Sequence, residues 1–151
     1  MNKHRIYIDQ SGKVENTELK TVIAYSNNMT KSIEISSLEK RKLQKLFRSV
    51  ARPNVFVYKT FACLVYLLVK SDLKWVREIV IDREYVGQEA LIKLYLLRLM
   101  KKGGEVFDPS LISFAEIGKR NYAHNKSAAT FRGLLKPDVI LKSKDLLKWL
   151  L

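Results

Sequence analysis

Short apolar runs rich in β-branched and aromatic residues open the chain. Arg5-Ile6-Tyr7-Ile8-Asp9 runs into the turn signal Gln10-Ser11-Gly12 and predicts a first strand with a carboxylate at its C-terminal end. Thr21-Val22-Ile23-Ala24-Tyr25 and Lys31-Ser32-Ile33-Glu34-Ile35 predict two more strands, with Asn27-Asn28 as the turn pair between them. Three strands with short links predict an antiparallel meander. The period then changes. Ser36 or Ser37 is placed to cap a helix carrying Leu38, Leu43, Leu46 and Phe47, which Pro53-Asn54 breaks. The apolar stretch 55–71 is long enough to predict a second helix, and Arg77 to Asp82 a fourth strand, again closed by a carboxylate. Gln88 to Lys102 predicts an amphipathic helix stopped at Gly103-Gly104. Leu111 to Ile117 predicts a fifth strand, followed by a basic loop, a helical region over Ser127 to Leu135 and a short terminal helix over Asp145 to Leu151. No repeat, low-complexity tract or linker interrupts this order, so residues 1–151 read as a single α/β domain.

Composition narrows the classes. With 47% hydrophobic and 28% charged residues the chain is neither disordered nor collagen-like. The net charge of +13 points to a polyanionic partner. The excess sits at the two ends: Met1 to Arg52 carries +6, Pro53 to Ser110 +2 and Leu111 to Leu151 +5. Cys63 is the one cysteine, so no internal disulfide is available, and no Cys/His spacing resembles a zinc site. The start of the sequence has no signal-peptide pattern, which predicts a cytoplasmic protein. The longest apolar run, Phe61 to Val69, falls well short of the roughly 20 residues that span a bilayer, so no membrane partner is expected. Phosphate-binding glycine loops, nucleophile elbows and dinucleotide fingerprints are absent.

Asp9 and Asp82 occupy equivalent positions after two Ile-rich strands. Should a crossover make those strands parallel neighbours, both carboxylates emerge at the carboxyl edge of the sheet, where α/β folds bind ligands. Close carboxylates repel, and a divalent cation between them stabilises the arrangement. Ile6-Tyr7-Ile8-Asp9-Gln10-Ser11-Gly12 resembles the first-strand motif of ribonuclease H. Glu78-Ile79-Val80-Ile81-Asp82-Arg83-Glu84-Tyr85-Val86 is similar to that family's fourth strand and the turn after it. Ile112 to Gly118 lies at the place of the fifth strand, and Ala123-His124-Asn125 looks like the His-containing loop before the last helix. The resemblance runs from about Arg5 to Asp138. It implies a five-stranded mixed sheet, a three-strand antiparallel meander plus two parallel strands, with helices on both faces.

The resemblance also implies Mg²⁺- or Mn²⁺-assisted phosphodiester hydrolysis, one ion activating the attacking water and another stabilising the leaving 3′ oxygen. Asp9, Asp82 and Glu39 would hold the ions; Glu39 best matches a family glutamate in the first turn of the first helix, with Glu34 as its rival. His124 would carry a proton. The family's further aspartate, near the start of the last helix, has no counterpart in Lys126-Ser127-Ala128-Ala129-Thr130. Glu84, Glu116 and Asp138 are the substitutes, Glu84 being included among the metal ligands. Lys119, Arg120, Lys126 and Arg132 around His124 would grip nucleic acid, and Tyr122 would stack a base. Lys40-Arg41-Lys42 is either part of that groove or the wet face of a helix. Expected substrates are the RNA of an RNA/DNA hybrid or single-stranded DNA cut from its 3′ end. The competing expectation is a non-catalytic nucleic-acid-binding module.

Overall fold

The computed structural model of the protein describes residues 3–27, 30–50, 52–118 and 121–150. Asn28 of the predicted turn pair and the basic residues Lys119 and Arg120 lie outside the described residues.

A mixed six-stranded sheet forms the middle layer, in the order β5-β4-β1-β2-β3-β6. The strands are β1 His4–Ser11, β2 Thr21–Ser26, β3 Thr30–Ile35, β4 Val76–Asp82, β5 Ile112–Ala115 and β6 Val139–Leu141. The helices are α1 Ser37–Ser49, α2 Phe56–Val69, α3 Glu89–Lys102, α4 Tyr122–Phe131 and α5 Ser143–Leu150. β1, β2 and β3 form the expected meander, and β4 and β5 add parallel to β1.

The sheet has one strand more than the five expected. β6 pairs parallel to β3, anchored by Asp138, whose carboxylate accepts from the Ser32 amide at 2.8 Å while its own amide donates to the Ser32 carbonyl at 3.1 Å. This three-residue edge strand is too short to announce itself by periodicity.

Alternation along the central strands gives the sheet two covered faces. Ile6, Ile8, Ile23, Tyr25, Ile33, Ile79 and Ile81 point into the main core, where α2 is apolar on nearly every side and therefore buried. Cys63 lies fully buried there, as a small core residue, its thiol pushed up to about 12 by burial. α4 packs on the opposite face against β1, β2 and β3, burying Ala123, Ser127 and Thr130.

α4 departs from the helical region expected over Ser127 to Leu135 at both ends. It starts at Tyr122 because the Asn121 side chain accepts from the Ala123 amide at 2.8 Å, a helix N-cap, and it ends at Phe131. His124 is therefore helical, not in a loop. β5 ends at Ala115, which leaves Glu116 beyond the strand and exposed.

Candidate metal centre

The register of β1 and β4 builds the site. Ile8 is level with Ile81 in the parallel pair, so the next residues, Asp9 and Asp82, stand side by side near the carboxyl edge of the sheet, β1 running on through the expected turn residues Gln10 and Ser11. Since Ile8 and Ile81 face the main core, alternation turns both carboxylates to the α4 face. Glu84, two residues further on, completes the group: one ligand atom from each of Asp9, Asp82 and Glu84 lies within 4.8 Å of the others.

One oxygen of each aspartate is held by the chain itself. Asp9 Oδ2 accepts from Ser127 Oγ at 2.9 Å and lies 3.0 Å from His124 Nδ1. His124 and Ser127 are three apart on α4 and so share its sheet-facing side. Ser127 Oγ also lies 3.0 Å from Ser11 Oγ, tying α4 to the end of β1. Asp82 Oδ1 accepts from the Ile117 amide at 2.8 Å, in the turn after β5. Beyond these donors the carboxyl groups meet one another: Asp82 is within hydrogen-bonding reach of both Asp9 and Glu84.

Electrostatics identify this as an unfavourable place for bare charge. Burial, followed by the neighbouring Asp82, raises the Asp9 carboxyl above its ordinary range, against the lowering effect of Ser127 and His124. Burial also pushes Glu84 up to about 8, helped by Asp82 and Asp9 and opposed by the Lys13 ammonium. Three crowded carboxylates of this kind are stabilised either by protons or by a cation. A set of hard carboxylate oxygens at this spacing could hold a hard divalent cation and does not suit a thiophilic one.

Of the residues singled out from sequence, the structure brings together Asp9, Asp82, Glu84 and His124. Glu39 is not in the group. It sits in the first turn of α1, bonded to Lys42 at 3.2 Å and to the Ser143 hydroxyl of α5 at 3.2 Å, and these partners hold it below the usual carboxylate range despite some desolvation. Glu34 pairs with Lys20 at 3.1 Å, and Asp138 with Lys126 at 3.7 Å, so Lys126 is engaged by an acid. Tyr122 is 70% exposed at the start of α4, and Arg132 is exposed at its end.

Lys40 belongs to neither of its two expected settings. It is fully buried, donating to the carbonyls of Lys13 at 3.2 Å and Asn16 at 2.7 Å and to Thr21 Oγ1 at 3.0 Å. Burial pushes its ammonium down to about 8.

Ser127 and Tyr85 escaped the sequence reading. Asn121 as an N-cap would have set the start of α4 and exposed the His124–Ser127 spacing. Tyr85 gives no such signal, because its role depends on a loop folding over it. Its hydroxyl lies 3.2 Å from Gln10 Oε1 and 3.1 Å from Glu15 Oε1, and accepts from the Val14 amide at 3.3 Å. Among the described residues no helix is long and apolar enough to cross a membrane. No protein-family model, curated protein or solved structure matches the chain.

Proposed function

We propose that the protein is a divalent-metal-dependent nuclease with a ribonuclease H-like arrangement, acting on single-stranded DNA or on the RNA of an RNA/DNA hybrid. The observation that carries this reading is the convergence of Asp9, Asp82 and Glu84 within 4.8 Å at the carboxyl edge of two parallel strands. The strand order β5-β4-β1-β2-β3, with β1 between an antiparallel and a parallel neighbour, supports the family resemblance, and β6 is an addition at its edge.

Asp9, Asp82 and Glu84 would hold a divalent cation, which would supply Lewis-acid activation of water and of the phosphoryl oxygens. The chain's own contributions follow from the geometry. Ser127 and the Ile117 amide fix one oxygen of Asp9 and of Asp82, which aims the other at the site and limits reorganisation. Asp9 holds His124 through Nδ1, leaving Nε2 with no partner among the described residues and able to exchange a proton. The basic surface holds the phosphate backbone while these groups act.

One observation favours the second reading, a nucleic-acid-binding module without catalysis: α4 offers Ser127, not a carboxylate, to Asp9. A single assay separates the two. End-labelled single-stranded DNA, single-stranded RNA and a hybrid are incubated with Mn²⁺ and either wild type or Asp9→Asn. Cleavage of one substrate that the substitution abolishes is the expected result; tight binding with no Mn²⁺-dependent cleavage favours the module.

A further inference from the structure

The helical layer, on the side of the sheet away from α4, carries a pocket that the nuclease reading does not use. Lys59, Tyr95, Arg98, Lys102, Trp149 and Leu150 line it between α2, α3 and α5, around a solvent-open cavity of about 160 Å³. An adjoining hollow shares Lys59 and Leu150 and adds Arg52 from the α1–α2 connection.

Four cations therefore border one groove, and no carboxylate among the described residues pairs with any of them. Lys102 is engaged by the carbonyls of Lys148 and Trp149 at 3.0 and 3.3 Å. The side chains of Arg52, Lys59 and Arg98 have no acceptor among the described residues. Lys59 stands 5.3 Å from the centre of the Tyr95 ring. Burial holds its ammonium below the ordinary range, and the charges of Arg52 and Arg98 push it the same way. Folding leaves this repulsion in place, and an anion in the groove would relieve it.

Apolar and aromatic side chains, Tyr95, Leu99, Trp149 and Leu150, lie among these charges, Trp149 packing edge-on with Tyr66 and carrying Lys70 5.0 Å from its ring centre. Tyr95 and Trp149 offer aromatic faces of the kind that stack planar rings. An arginine fork matches phosphate oxygens bidentately, and lysine adds a point charge. A simple inorganic anion would use the cations and leave the aromatic rings in water.

We infer that this groove binds a small phosphate-bearing aromatic anion, the chemistry of a mononucleotide. The phosphate lies against Arg52, Lys59 and Arg98, and the ring lies against Tyr95 and Trp149. The inference is independent of the carboxylate centre, which lies on the other face of the sheet.

The chain has two tryptophans. Trp75→Phe therefore leaves Trp149 as a fluorescent reporter inside the groove. The probes are AMP, adenosine and inorganic phosphate, titrated separately in EDTA so that no metal bridges them to the carboxylates. AMP is expected to change the Trp149 emission saturably and to bind at least tenfold more tightly than adenosine or phosphate. Lys59→Gln and Arg98→Gln in that background are each expected to weaken AMP about tenfold, which corresponds to about 1.4 kcal/mol. Circular dichroism checks that every variant stays folded. Phosphate binding as tightly as AMP, AMP binding that both substitutions leave unchanged, or no saturable AMP binding at millimolar concentration would overturn the inference.

Discussion

Glu84 is the residue at which stability and function pull apart. Its folded-state carboxyl is raised from an ordinary 4.5 to about 8, burial being the main cause. A raised carboxyl lends stability in full below the ordinary value and loses it as pH rises through the folded value. Glu84→Gln should therefore change the melting temperature of the metal-free protein little near pH 4.5 and raise it above pH 8. After allowance for solvent screening of a partly exposed group, the gain is about 1–2 kcal/mol. Added Mn²⁺ should stabilise wild type at the higher pH and leave the variant unmoved. A variant that is less stable than wild type at pH 8.5 contradicts this account. Ser127 works in the opposite sense, since its hydroxyl favours the ionised form of Asp9. Ser127→Ala should weaken Mn²⁺ binding by about 10–100-fold, as loss of an oriented ligand partner does; equal affinities by calorimetry would show that the hydroxyl is dispensable. Asp9 and Asp82 were legible in the sequence because each follows an Ile-rich run, although β1 continues two residues past Asp9 to Ser11. Glu84 was legible only as one of three substitutes, beside Glu116 and Asp138, and Glu39 drops out of the set only once α1 is seen to dock it against Ser143 of α5.

Among the elements, the β1–β2 connection positions the site from below. Gly12 begins it with φ of +76°, and a Cβ there would sit 2.2 Å from the Lys20 carbonyl and 2.6 Å from the Phe131 ring of α4. Lys40 then holds the loop by two carbonyls and Thr21, and Val14 fills the core. Tyr85 joins this loop to the segment that follows β4, bonding the neighbour of Asp9 on one side while itself being the neighbour of Glu84. Lys40→Met leaves three acceptors without their donor and should cost about 2–4 kcal/mol in denaturant unfolding. Tyr85→Phe should cost about 1–2 kcal/mol and also weaken Mn²⁺ uptake. A Tyr85→Phe protein with wild-type Mn²⁺ affinity would reduce the tyrosine to a packing role. The period of the apolar positions made β1 to β5 and the first three helices readable. The start of α4 and the whole of β6 were not, because a cap and an edge pairing rest on single side chains, Asn121 and Asp138, and not on a repeating pattern.

At the scale of the molecule, the excess of positive charge gains a shape. Lys126 stands 3.7 Å from Asp138, and Lys40 is buried against its own acceptors and so faces no groove. Arg132 and Tyr122 remain exposed at the two ends of α4, on the face that carries the acidic centre. Binding of single-stranded oligonucleotide should therefore be salt-sensitive, falling on the order of 20–100-fold between 50 and 200 mM salt for about 3–5 phosphate contacts. Affinity that stays flat over that range would exclude backbone contacts as the source of binding. The acidic centre within this positive surface is the central claim, and electron paramagnetic resonance of added Mn²⁺ tests it directly. Wild type should take Mn²⁺ out of the free-ion signal, while Asp9→Asn and Asp82→Asn should each lose at least tenfold in affinity; a wild-type protein that leaves millimolar Mn²⁺ free, or variants that bind it as well as wild type, would contradict the account.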